Sequence, residues 1–153
     1  MAERSALRIL VVDDDPAMVR RAAAALTAHG FTDLEHVATG RDALLAAARA
    51  DVLLLDQNLP DLAGREVLLA LRAWPEPPSV VMVTAHGSET FAADALRAGA
   101  EDYLVKDASL AAMLPEVVER VRRMRSLREA LATAERELLH VERRAAVGEM
   151  TVT

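Results

Sequence analysis

Five polar side chains in this sequence stand where apolar runs stop. Asp13 and Asp14 follow Leu7–Val12, Asp56 follows Val52–Leu55, Thr84 follows Ser79–Val83, and Lys106 follows Tyr103–Val105. Short apolar, β-rich runs of this kind suit strands buried on both faces. An acid at the carboxyl end of such a strand lies where open α/β sheets take their ligands. On its own segment Asp56 fits a helix-capping or turn-initiating acid equally well, because Pro60, Asp61 and Gly64 follow with turn chemistry. The set says more than the single residue. Three carboxylates at one sheet edge raise one another's pKa values unless a cation sits among them. All-oxygen donors without Cys or His suit Mg²⁺. Carboxylates, Mg²⁺, Lys106 and the Thr84 hydroxyl together make a phosphoryl-transfer site in which Asp56 attacks phosphorus. Mg²⁺ and Lys106 would balance charge on the equatorial oxygens, and the small Ala85 would leave room for the phosphoryl group.

The elements that must hold these residues follow from the chain in order. Residues 1–6 read as a disordered start. A first strand, Leu7–Val12, leads to Pro16, a good first residue for a helix that runs to about His29 and stops at Gly30. Leu34–Ala38 is a weaker second strand, and a helix follows from about Asp42 to Ala50. The third strand ends at Asp56, and the next helix spans Gly64 to about Ala73. Trp74-Pro75-Glu76-Pro77-Pro78 cannot continue it. Ser79–Val83 is a fourth strand, and Ser88 caps a helix from Glu89 to Ala98, closed by Gly99. Tyr103–Val105 is a fifth strand, and from Ser109 the pattern is helical to the end. Strands alternating with helices at this spacing make a parallel sheet. Five units with a cleft at the strand ends fit a flavodoxin-like α/β fold, a doubly wound sheet of order 2-1-3-4-5 with right-handed crossovers.

Bulk properties narrow the function classes. The chain has 153 residues, 52% hydrophobic and 3% aromatic, so its core must be aliphatic. A net charge of −6 argues against a general nucleic-acid surface. With no cysteine, disulfides and thiolate metal sites are excluded. No apolar stretch is long enough for a signal peptide or a membrane span, so a cytoplasmic protein without a membrane partner is expected.

Four segments carry a family resemblance: Leu10-Val11-Val12-Asp13-Asp14, Leu55-Asp56-Gln57-Asn58-Leu59-Pro60, Val83-Thr84-Ala85 and Tyr103-Leu104-Val105-Lys106. Residues 7–125 resemble a response-regulator receiver domain of two-component signalling. The resemblance implies that Asp56 is the phosphoacceptor, Asp14 a direct Mg²⁺ ligand, Asp13 an acidic partner acting partly through water, and the Asn58 backbone carbonyl the third protein ligand. It implies that Thr84 and Tyr103 are a switch pair and that Asn58 and His86 tune dephosphorylation. It also implies a cognate histidine kinase or phosphotransfer protein as partner. One departure stands out: the family's proline after the lysine is Asp107 here. A cis peptide at a non-proline residue costs roughly 2.5–4 kcal/mol, so this bond is expected to be trans, with a different loop after the fifth strand.

The last helix is longer than a receiver needs. Its apolar residues alternate spacings of 3 and 4 as a heptad seam, with Val117, Met124, Leu131, Leu138 and Ala145 at a, and Leu127, Ala134 and Val141 at d. Arg120 is the one interruption. The first turns, to about Val121, are expected to pack on the sheet, and the rest to form a homodimeric coiled coil. The domains expected are a receiver over 1–125 and a coiled-coil linker over 126–153. In a parallel pair, g-to-e′ contacts would set Arg123 against Arg128 and Glu137 against Glu142, so the seam argues for self-association more clearly than for parallel order. The stretch Glu142–Thr151 resembles the lead-in to the dimerisation helix of a sensor histidine kinase, which would make the chain the N-terminal part, or an excised piece, of a receiver-first kinase. The leading function is a phosphorylation-controlled receiver without direct nucleic-acid binding. The alternatives are an aspartyl-phosphate phosphohydrolase, disfavoured because Asn58 stands where such enzymes carry a second acid, and a structural dimerisation module.

Overall fold

The structure is a computed structural model that describes residues 2–152, with side chains from 3 to 146. Residues to Val121 form one compact unit, and those from Arg122 a second. The elements of the first unit are α1 (Ala2–Ala6), β1 (Arg8–Val12), α2 (Pro16–Ala28), β2 (Asp33–Val37), α3 (Gly40–Ala46), β3 (Val52–Asp56), α4 (Gly64–Arg72), β4 (Ser79–Thr84), α5 (Glu89–Arg97) and β5 (Asp102–Val105). Helix α6 (Leu110–Val152) begins in this unit and makes up the second.

All five strands are parallel, in the order β2-β1-β3-β4-β5. This is the flavodoxin-like order expected from the sequence. Alternation along each strand divides the core in two. Ile9, Val11, Leu54, Val81 and Val83 face one side, with Met18, Ala22 and Leu26 of α2 and Leu110, Leu114, Val117, Val118 and Val121 of α6. Leu10, Val12, Leu53, Leu55, Val80 and Met82 face the other, with α3 and α4. A sheet covered on both faces accounts for the uninterrupted apolar runs of β3 and β4. Gly30 and Gly99 carry φ of 89° and 111°, closing α2 and α5 as left-handed caps. Helix α5 buries none of its own side chains.

Two local expectations are corrected. Residues 2–6 are not a disordered start but the helix α1, because Arg4 is anchored from several sides. Its guanidinium pairs with Glu119 at 3.1 Å, donates to the His29 carbonyl at 3.0 Å and lies 5.5 Å from the centroid of the Phe31 ring. The helix expected over Asp42–Ala50 starts two residues earlier and gives way to a 3₁₀ turn at Ala47–Arg49. Its start is fixed from outside: Asp61 accepts from the Gly40 and Arg41 N–H groups, while Thr39 caps Asp42. These bonds hold the Asp61 carboxyl below its ordinary pKa, the Gly40 N–H first.

In the second unit, Met124, Leu127, Leu131, Ala134, Leu138 and Val141 are all exposed. The kinase-like stretch Glu142–Thr151 lies, beyond Ala146, outside the described side chains. Among the described residues no helix is long and apolar enough to cross a membrane.

Candidate functional site

Parallel pairing places the ends of β1, β3, β4 and β5 along one edge. Val12 is level with Leu55, Asp56 with Val83, and Thr84 with Val105. The residues just past these ends therefore meet. Carboxylate oxygens of Asp13, Asp14 and Asp56 lie within 4.8 Å of one another. Asp13 and Asp56 are buried and Asp14 is exposed, so the cluster opens to solvent on one side. The Lys106 ammonium reaches Asp13 at 2.7 Å and Asp56 at 3.2 Å.

Backbone bonds hold each side chain. The Asp15 N–H donates to the Asp13 carboxylate at 2.9 Å, and the His36 Nε2–H to the Asp13 carbonyl at 3.1 Å. Asp15 itself caps α2 through the Ala17 N–H. The Asn58 N–H donates to the Asp56 carboxylate at 3.2 Å, which fixes the loop after β3 over the cluster. Lys106 is held to β4 by its own N–H, 2.7 Å from the Thr84 carbonyl.

The electrostatics are those of a site short of positive charge. Burial pushes the Asp56 carboxyl up; the Asn58 N–H opposes this, the Asp13 charge adds to it, and Lys106 pulls back. Lys106 is raised against its own burial by its bonds and charges to Asp13 and Asp56. Three carboxylates share one ammonium, and their oxygens are close enough to be bridged by one ion. Hard oxygen donors on an open-sided cluster fit a Mg²⁺-sized cation that keeps water on its outer side.

Beside the cluster, the buried Thr84 hydroxyl accepts from the His86 N–H at 3.3 Å and lies 3.4 Å from the His86 carbonyl. The Tyr103 hydroxyl donates to that same carbonyl at 3.4 Å. Thr84 and Tyr103 thus meet at one peptide of the loop after β4. Ala85 and His86 are exposed at the rim. The heptad residues Met124 to Val141 belong to the second unit.

Two further residues support the site. Gly64 lies so close to the site that a Cβ there would stand 2.3 Å from the Asp56 carbonyl oxygen, and its N–H donates to Gln57 at 2.8 Å. Its sequence context suits a turn, and the closeness of the backbones shows that no side chain fits. Asp107 replaces the family proline with an acceptor. Its carboxylate takes the Ser109 hydroxyl at 2.5 Å and the Ser109 N–H at 2.9 Å, and these bonds hold it below its ordinary pKa. Its carbonyl accepts from Arg21 at 3.2 Å. The Lys106–Asp107 peptide is trans, and this turn leads into α6.

The sequence model of the response regulator receiver domain matches residues 9–119. The transcriptional regulatory protein KdpE of Mycobacterium tuberculosis is 38% identical over 117 residues, covering 75% of this chain and 51% of KdpE. The chain thus spans about half the length of the curated relatives it matches. Among solved structures, a receiver domain assigned to a Luxo repressor protein from Vibrio parahaemolyticus superposes with a TM-score of 0.76 at 31% identity, covering 82% of this chain and 96% of that one. The Mn²⁺-bound form of response regulator Rcp1 superposes with a TM-score of 0.64 at 25% identity, over 72% of this chain and 91% of that one.

Proposed function

This chain belongs to the response regulator receiver domain family, and from that premise we propose that it is a phosphorylation-controlled receiver with Asp56 as phosphoacceptor. The observation that supports this most is the cluster itself: three carboxylates with oxygens within 4.8 Å, two of them bonded to Lys106, at one edge of the sheet. The donor is a phosphohistidine of a cognate kinase or phosphotransfer protein. A carboxylate oxygen of Asp56 bonds to phosphorus as the donor's P–N bond breaks, and the leaving imidazole takes its proton from solvent. Lys106 stays beside the transferred group and offsets its charge.

Asp13, Asp14, Asp56 and the Asn58 carbonyl would hold Mg²⁺, which supplies further positive charge at the phosphoryl oxygens. The metal in the Rcp1 structure supports a divalent ion in this chain. The Thr84 hydroxyl is the group that turns toward the phosphoryl oxygens. In doing so it leaves the His86 peptide to Tyr103, whose ring then moves inward. His86 and Asn58, at the rim, govern how fast water reaches the aspartyl phosphate.

The change passes to α6, whose exposed seam supports self-association as a coiled coil. The sequence of Glu142–Thr151 supports a link to a histidine kinase. KdpE is a transcriptional regulatory protein, and by that likeness control of transcription is the competing output.

Acetyl phosphate with Mg²⁺ is expected to add one phosphoryl group to the wild type, none to Asp56→Asn, and none when EDTA removes the metal. Equal labelling of Asp56→Asn, read by intact mass, overturns the assignment. Multiple-turnover phosphate release would favour the hydrolase reading instead.

A further inference from the structure

The second unit carries more information than a generic sticky helix. Its apolar seam runs Met124, Leu127, Leu131, Ala134, Leu138, Val141 and Ala145, all exposed. We infer that this seam is covered by the same seam of a second copy, running antiparallel, with Leu131 set against the partner's Ala134. This deepens the self-association proposed above and rests on it.

Packing gives the first reason. In that register the layers are Met124 against the partner's Val141, Leu127 against the partner's Leu138, and Leu131 against the partner's Ala134. The six positions from Met124 to Val141 are all used, Ala134 faces a large residue, and the second small residue, Ala145, comes level with the partner's Arg120. Facing large with small fills a helix interface without voids. In the parallel order Ala134 faces Ala134 of the partner subunit, and the layer is left underfilled.

Charge gives the second, independent reason. In coiled coils the residues flanking the seam set partner orientation. The parallel order opposes Arg123 to the partner's Arg128 and Glu137 to the partner's Glu142, each twice. The antiparallel order brings Arg128 against the partner's Glu135 twice, on either side of the centre. Its like-charge pair, Arg123 with the partner's Arg144, falls at the two ends. The register matters as well. Sliding by one heptad either way adds unlike as well as like pairs, so charge does not choose the register. The Leu131–Ala134 register alone pairs all six positions from Met124 to Val141 with one another.

Antiparallel pairing also separates the two copies of Gly148. They lie thirty-one residues apart along the pair, roughly 46 Å, so the kinase-like stretch of one chain does not meet its copy. The seam then joins two receivers to each other instead of continuing into a paired kinase helix.

The chain has no cysteine, so introduced thiols report alone. In the full chain, Met124→Cys and Val141→Cys are each expected to stay uncrosslinked by themselves. After their subunits have exchanged, the mixture is expected to form a covalent dimer on oxidation or with a short bis-maleimide. In a parallel pair the same two thiols stand seventeen residues apart, roughly 25 Å, and each single variant would instead crosslink to itself. Self-crosslinking, or a dimer that crosslinks in neither case, overturns the inferred arrangement. A wild type that sediments as a monomer overturns the self-association beneath it, and neither result touches the phosphoacceptor assignment.

Charge reversal reads the same question with opposite signs. Arg128→Glu is expected to weaken the dimer about tenfold, with Arg128→Glu/Glu135→Arg restoring it. A dimer tightened by Arg128→Glu, as the parallel order requires, would overturn the inference.

Discussion

The two edges of the sheet are built from the same strands and use their charges in opposite ways. At the starts of β1 and β3, Arg8 and Asp51 meet in a three-bond pair, and Arg49 reaches Glu35 at 2.6 Å. Arg8, Glu35 and Arg49 border a hollow of about 270 Å³, and all three are largely exposed. Each positive charge has its own negative one, and a further acid, Asp33, lines the hollow, exposed to water. At the other ends of β1 and β3, Asp13 and Asp56 are buried with Lys106 between them, and Asp14 adds a third carboxylate. Charges that stay wet leave no demand for a ligand. Acids that outnumber their cation and are partly withdrawn from water do create one. A site is thus distinguished by the burial of uncompensated charge, rather than by the presence of charge or of a hollow.

That contrast can be broken by substitution, and the effects should fall in order. Gly64→Ala is expected to be the largest, about 3 kcal/mol of lost stability, because the new Cβ meets the Asp56 carbonyl at 2.3 Å and the backbone must shift. Chemical denaturation measures the loss, and slower acetyl-phosphate labelling would show that the phosphoacceptor moved with it. Lys106→Met leaves Asp13 and Asp56 facing each other and should cost about 2 kcal/mol in EDTA, with part recovered on adding Mg²⁺. If Mg²⁺ restores nothing, the acids do not share a cation.

Asp56→Asn should go the other way, raising metal-free stability at neutral pH by less than Lys106→Met costs. The Asp56 pKa is raised, chiefly by burial. Its contribution is therefore fully present below the unfolded pKa and is lost as pH rises through the folded one. The advantage of the variant should vanish in acid, below the ordinary carboxylate range, and grow toward neutrality. An unchanged gap across that window would remove burial as the cause. At the opposite edge, Arg8→Ala should change stability by less than about 0.5 kcal/mol, since the pair is half exposed. A larger loss there would erase the distinction between the edges.

The site was readable because each of its residues ends an apolar run, and a parallel sheet turns such ends into neighbours. Asp13, Asp14, Asp56 and Lys106 needed only strand order to converge. The strands themselves were displaced by no more than a residue. What could not be read depends on contacts between distant segments. Helix α1 owes its order to Glu119, His29 and Phe31, none of which leaves a mark on residues 2–6. The start of α3 is set by Asp61, twenty residues downstream. The Asp107 turn needed knowledge of where Ser109 would point. Local pattern records what a segment prefers, and these three features are decided by what arrives next to it.

Helix α5 keeps no side chain buried, and this has a consequence for how the receiver spends its time. A segment held by few apolar contacts opens locally at a free energy well below that of global unfolding. Its amide hydrogens should exchange with solvent long before those of β3 and β4, whose residues are all buried.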